Sequence, residues 1–187
     1  AAEREIIEEA YAGDIIGVFD PGIFSIGDTL CTAAHKFQFD PIPTFAPEHF
    51  RRVRPLDTMK RKQFLKGMEQ IAQEGAIQIF KTPYSGMEEV IVGVVGTLQF
   101  DVLEYRLKNE YGVDLYAEGL PYEYLRWLRH EGDEPLRADE LTLPGDAMLV
   151  EDYRQNQLLL FASQWSINWT AERNKAVTLS EFGGAKF

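Results

Sequence analysis

Cysteine occurs once, at Cys31, so no internal disulfide can form and the chain suits a reducing compartment. Long apolar runs are missing too. The stretch Val90 to Val95, interrupted by Gly93, is far short of the roughly 20 residues a membrane helix needs. The first residues, Ala1-Ala2-Glu3-Arg4-Glu5, lack the basic and apolar regions of a secretory signal, so a cytoplasmic location with no membrane partner is expected. On this reading the glycosylation sequon Asn168-Trp169-Thr170 is chance. No Gly-x-x-x-x-Gly-Lys-Ser/Thr loop is present to cradle phosphates, and Gly93-Val94-Val95-Gly96 lacks the three-glycine spacing of a dinucleotide fold. There is no Gly-x-Ser-x-Gly nucleophile elbow. His35, His49 and His130 lie far apart, and Cys31-x-x-x-His35 is half of a metal site. Acidic residues are so plentiful that a pair of them identifies no catalytic dyad. No catalytic, metal or cofactor residue is therefore assigned in this chain.

What is present is the composition of a folded protein, 45% hydrophobic and 26% charged over 187 residues. The net charge of −11 argues against general attraction to nucleic acid. Charge is uneven, however. Between Pro41 and Gly75, seven lysines and arginines (Arg51, Arg52, Arg54, Lys60, Arg61, Lys62, Lys66) stand against four acids. An acidic chain with one basic island suits directed docking.

The pattern predicts an α+β chain. Residues 1–37 read as short strands, Asp14 to Phe19 and Ile26 to Leu30, separated by the Asp20-Pro21-Gly22 turn. Three or so strands cannot close a barrel or bury two faces, so this segment is expected to be the tail end of a β domain, mobile or paired with another chain. Pro41, Pro43 and Pro47 mark a linker. Residues 38–187 then form a further domain with a core at 44–118 and an extension at 119–187.

In that core, Glu48 to Arg54 reads as a strand with Arg51 and Val53 on one face and Phe50, Arg52 and Arg54 on the other. Burying both Phe50 and Val53 requires a bulge or a covered second face. Asp57 can cap a helix whose apolar stripe is Phe64, Met68, Ile71 and Ala72, with Gly75 ending it. Ala76 to Phe80 and Glu89 to Val95 read as a hairpin. Thr97 then caps a helix to Tyr111 with Leu98, Val102, Leu103, Tyr105 and Leu107 on its apolar side and Glu104 paired to Lys108. Val113 to Tyr116 completes a β-α-β-β-α-β order, the ferredoxin-like arrangement.

Beyond it, Tyr124 to Arg129, Ala147 to Glu151, Leu158 to Ala162 and Val177 to Phe182 read as strands, and Gln164 to Asn174 as a helix. Val94-Val95-Gly96-Thr97 and Leu160-Phe161-Ala162-Ser163 echo one another, each an apolar strand running through a small residue to a hydroxyl cap. The echo suggests a partial second unit. Trp165 and Trp169, spaced i and i+4, read as a core anchor in preference to a nucleobase platform.

Several segments resemble the peptide chain release factor 3 family of translational GTPases. They include Phe45-Ala46-Pro47-Glu48-His49-Phe50-Arg51-Arg52-Val53-Arg54, Lys66-Gly67-Met68-Glu69-Gln70, and Glu74-Gly75-Ala76-Ile77-Gln78. Gly96-Thr97-Leu98-Gln99-Phe100-Asp101-Val102 and Arg106-Leu107-Lys108-Asn109-Glu110-Tyr111 continue the match. Ala12 to Gly17 and Ile26 to Leu30 are similar to the end of the barrel domain these GTPases share. Elongation factor G shares the Arg-Leu-Lys helix but not the Phe-Arg-Arg-Val-Arg strand. The resemblance implies a cytoplasmic factor that binds GTP with Mg, docks on the ribosome through ribosomal RNA and proteins, and promotes departure of the stop-codon-reading release factors. The nucleotide residues belong to an N-terminal domain not in this chain, so none is carried over. Arg51, Arg52, Arg54, Lys60, Arg61 and Lys62 are the expected ribosome-facing residues. The alternatives are a freestanding ferredoxin-like module, such as an RNA-binding sheet, and an acylphosphatase-like enzyme. The first lacks strand aromatics at Ile77 to Ile79 and Val90 to Val94. The second lacks a committed arginine between Phe80 and Glu88.

Overall fold

A computed structural model describes residues 5–24, 26–40, 42, 45–83, 89–132 and 134–183. The regular elements begin with β1 (His49–Pro55), a 3-10 turn (Thr58–Lys60) and α1 (Arg61–Gln73). The hairpin strands β2 (Gln78–Lys81) and β3 (Val90–Val94), α2 (Leu98–Tyr111) and β4 (Leu115–Leu120) follow. The second half holds β5 (Tyr124–His130), a 3-10 turn (Ala138–Glu140), β6 (Ala147–Asp152), β7 (Gln157–Phe161), α3 (Gln164–Arg173) and β8 (Val177–Ser180).

Local chemistry explains these boundaries. Asp57 accepts from the Met59 amide, but the turn it caps is the 3-10 turn leading into α1. Gly75 and Gly112 take positive φ where α1 and α2 stop. Thr97 occupies the N-cap of α2 without using its hydroxyl there. The Gln99 side chain instead accepts from the amides of Val95 and Gly96, at 3.1 and 3.3 Å. Lys108 reaches Asp114 at 3.4 Å rather than Glu104.

All eight strands found among the described residues join one antiparallel sheet, ordered β4-β1-β3-β2-β6-β7-β5-β8. Setting β5 to β8 against β1 to β4 shows that the second half repeats the first in reverse order about the β2–β6 seam. Helix α2 follows β3 as α3 follows β7, so the sequence echo falls at topologically equivalent positions. The halves differ at one crossover. Where α1 links β1 to β2, the described residues between β5 and β6 hold only a 3-10 turn. Two buried amides tether that segment as a strand partner would. Gln157 exchanges hydrogen bonds with the backbone of Leu136 at 2.6 and 2.8 Å, and Asn174 does so with Thr142 at 2.8 Å.

Three apolar clusters follow from the alternation of side chains along the strands. The first lies under α1 and α2: Val53, Val90, Val92 and Val94 meet Phe64, Met68, Ile71, Leu103 and Leu107. The second lies on the opposite face and pools Phe50, Phe80 and Ile91 with Leu125, Trp127, Val150, Leu158 and Leu160. In the third, Leu128, Leu149, Leu159 and Phe161 meet Leu141 and Ile167 of the α3 side. Phe50 and Val53 are thus both buried because the second face of the sheet is covered.

Four further readings change. The strands expected at 14–19 and 26–30 are not formed; the described residues of 5–40 hold turns and bends, with Ile6 and Ile15 almost wholly exposed. A strand segment is held by a ladder partner, and these segments have none among the described residues. The strand expected from Val113 begins at Leu115 and runs to Leu120, leaving Val113 to complete the helix-end motif through its amide to Leu107. Helix α2 buries Phe100, Leu103 and Leu107, whereas Leu98, Val102 and Tyr105 face outward. Trp165 is 65% exposed and anchors no core. Pro41, Pro43 and the hairpin loop with Gly86 lie outside the described residues.

Gly93 sits where the segment entering β1 crosses the sheet. A Cβ there would stand 2.7 Å from Pro47 Cγ and 3.0 Å from Phe80 Cε2, both rigid rings. Gly93→Ala is expected to cost about 1–3 kcal/mol. The check is a lower urea midpoint at unchanged slope, and a midpoint equal to wild type would contradict this packing.

Candidate functional site

The basic island does not form one surface, because β1 sends alternate side chains to opposite faces. Arg51 turns to the helix side, where its guanidinium lies 4.2 Å from the centre of the Phe100 ring. Arg52 projects from the other face between acids of the flanking strands, 2.9 Å from Glu89 and 3.5 Å from Glu118. Arg54 stacks over its cross-strand partner Tyr116 at 4.5 Å. Lys60, Arg61 and Lys62 follow on the 3-10 turn and the first turn of α1, where Arg61 and Lys62 are exposed and Lys60 half-buried. Exposed Leu56 and Met59 lie in the same stretch. The six expected residues therefore divide. Arg51 and Arg52 are engaged within the fold, and the end of β1 with the start of α1 presents Arg54, Lys60, Arg61 and Lys62.

Pattern reading missed the node at Arg106. Its guanidinium ties α2 to the end of α1 by pairing with Glu74, and it spans Glu110 on its own helix at 2.9 and 3.0 Å. The hydrogen bonds with Glu110, then those with Glu74, raise the arginine further above its usual range, and the same bond holds the Glu110 carboxyl below its own. The spacing that could have signalled this, Arg106 with Glu110 at i and i+4, is visible in the sequence; the partner 32 residues away is not.

A groove of about 800 Å³ opens between the start of β1 (Ala46 to Phe50) and the β4–β5 connection (Leu120 to Arg126). Burial pushes the Tyr122 phenol at its wall upward. Arg126, buried in the sheet, pairs with Glu181 at 3.3 Å. Among the described residues, no group of three or more His, Cys, Asp or Glu is placed to hold a metal ion, and no helix is long and apolar enough to cross a membrane. The sheet face that an RNA-binding module would offer to bases is occupied here by the second cluster.

The class this defines is an α+β domain that presents charged and aromatic surfaces on a rigid sheet. Comparison with known proteins makes it specific. A family model described as "Class II release factor RF3, C-terminal domain" matches residues 39–171. The peptide chain release factor 3 of Symbiobacterium thermophilum is 49% identical over 174 residues, which is 93% of this chain and 32% of that protein. That of Listeria monocytogenes is 42% identical over 180 residues, 96% of this chain and 33% of the protein. That of Streptococcus uberis is 38% identical over 181 residues, 97% and 34%. The chain belongs to the class II release factor RF3 family and carries its C-terminal domain. It spans about a third of the length of these relatives.

Two outcomes test the roles of the arginines. Arg52→Glu sets a third carboxylate between Glu89 and Glu118 and is expected to cost about 1–2 kcal/mol, while Arg54→Glu costs under about 1. Equal urea midpoints for the two variants would refute the division. Arg106→Gln removes the partner that depresses Glu110. A carboxyl with a depressed folded pKa contributes stability above its unfolded value, about 4.3, and loses it as pH falls through the folded value. The stability gap between wild type and Arg106→Gln should hold from pH 7 to about 5 and narrow below about 4.3. A gap independent of pH would contradict the pairing.

Proposed function

We propose that this chain is the ribosome-binding C-terminal part of a GTP-dependent termination factor that promotes departure of the stop-codon-reading release factors after peptide release. The observation that carries this reading is the family match over residues 39–171, together with relatives named peptide chain release factor 3. GTP and Mg would be bound by a part of the factor outside this chain, and no residue here is assigned to them. Residues 1–37 would be strands of a β-barrel whose pairing partners lie elsewhere, a reading supported by their exposed apolar side chains. The strand order β4-β1-β3-β2, with a helix in each crossover, supports a ferredoxin-like unit at 44–118.

In the mechanism we infer, the domain is a rigid arm. Nucleotide state sets its position, so its docking free energy differs between states, and only such a difference can shift the equilibrium. Arg54, Lys60 and Lys62 would supply contacts to ribosomal phosphate. In the intact factor, Lys60→Glu with Lys62→Glu should weaken ribosome binding and flatten its logarithmic salt dependence by roughly one per lysine. Unchanged binding, salt slope and ribosome-stimulated GTP hydrolysis would remove these residues from the interface.

A further inference from the structure

Helix α3 departs from the usual arrangement of polar residues outward and apolar residues inward. It buries Ser166, Ile167 and Thr170, turns Trp165 outward and leaves Trp169 half-buried beside it. The two buried hydroxyls need dedicated partners. Ser166 donates to Asp146 at 2.6 Å, and Thr170 donates to the Ser166 carbonyl at 2.7 Å. Placing serine and threonine inside while tryptophan faces water loses apolar burial twice over. Helix α1 shows the usual arrangement, with Lys62, Gln63, Lys66, Gln70 and Gln73 outward and Phe64, Met68 and Ile71 buried.

The aromatic side of the helix is ordered within itself. Trp165 and Trp169 lie with ring centres 6.3 Å apart and planes at 38°, and the Arg173 guanidinium caps Trp169 at 4.0 Å. Three flat groups at i, i+4 and i+8 thus form a ladder along one side of α3, with Trp165 at its open end. Beside it, Gln164 and Asn168 present uncharged amides held to each other at 3.2 Å. Arg173 and Lys175 stand at the far end against Glu172, a positive balance in a chain of net −11. Flat apolar faces with neutral donors and acceptors match a nucleobase, and the cations at the far end, roughly 12 Å along the helix, match the phosphate of a neighbouring nucleotide.

We propose that the Trp165–Trp169–Arg173 ladder is a stacking site for an unpaired base of single-stranded RNA, with the Trp165 ring as the platform. The choice of RNA rests on the ribosomal reading above; the stacking geometry does not. The test titrates this chain into a labelled single-stranded oligoribonucleotide of about 12 nucleotides and follows anisotropy and tryptophan emission. A saturable rise with quenched emission is expected. Trp165→Ala should weaken binding by about tenfold or more and Trp165→Phe by much less, because one stacked base contributes on that order. A duplex of the same composition should bind more weakly. A flat titration, equal affinity of wild type and Trp165→Ala, or a duplex bound as tightly as the single strand would overturn the site. So would a flat titration combined with Trp165→Ala weakening the intact factor on ribosomes, which would assign the ladder to a protein contact. Lys60→Glu with Lys62→Glu would leave the difference between wild type and Trp165→Ala in place, so the two readings fail separately.

Discussion

Residues Pro121–Glu123 carry the chain from β4, at one end of the sheet order, to β5, six places along it. In a flat sheet those strands would stand ~29 Å apart, and so short a connection spans at most ~14 Å. An even number of antiparallel steps also leaves β4 and β5 nominally parallel, with the end of one far from the start of the other. Strand twist resolves both difficulties, since about 20–25° per step accumulates to roughly 120–150° over six. The curled sheet brings its helix-free faces together, and the cluster of Phe50, Phe80 and Ile91 with Leu125, Trp127 and Leu160 is the result. The groove between Ala46–Phe50 and Leu120–Arg126 is the mouth of that curl.

This shared core, more than the seam, unites the two halves. The β2–β6 ladder has only two register pairs, Phe80 with Asp152 and Lys81 with Glu151. The ion pair between Lys81 and Glu151, at 3.9 Å and partly solvated, adds little. Phe80 stands at the seam and is buried in the inner cluster, so it joins ladder and core at one position. Neither half could leave the other without exposing that cluster.

The order of elements was legible because turn chemistry and periodicity agreed. Asp57, Gly75 and Gly112 punctuate, and α1 has a single apolar stripe. Where a segment is apolar all round, periodicity could not choose a side. Helix α2 offers Leu98, Val102 and Tyr105 on one arc and Phe100, Leu103 and Leu107 on another, and the packing of α1 selects the second. Strand β7 is continuously buried, which matches a strand covered on both faces. The basic cluster was visible as composition, yet a period of two sends Arg51 away from its neighbours and leaves Arg52 between two glutamates contributed by other elements. Strands over 14–19 and 26–30 had the right residues but no ladder partner among the described residues, and propensity alone does not make a strand.

With its inner face consumed by packing, the curled sheet presents the outside of its helices and the turn after β1. The three helices are not alike there. Helix α1 is polar outward, as solvent alone would favour, while α2 and α3, at equivalent places in the two halves, expose Leu98, Val102 and Tyr105 and Trp165 respectively. The hydroxyls beneath α3 make the contrast sharper. Ser166 reaches Asp146 outside the helix, Thr170 bonds back to the Ser166 carbonyl one turn earlier in α3 itself, and Ile167 packs in the third cluster, so one directional bond and a small apolar contact hold the helix against the sheet. Small buried residues on the inner side of α3 leave Trp165 at the surface, and the shared core beneath the sheet keeps that surface in a fixed place.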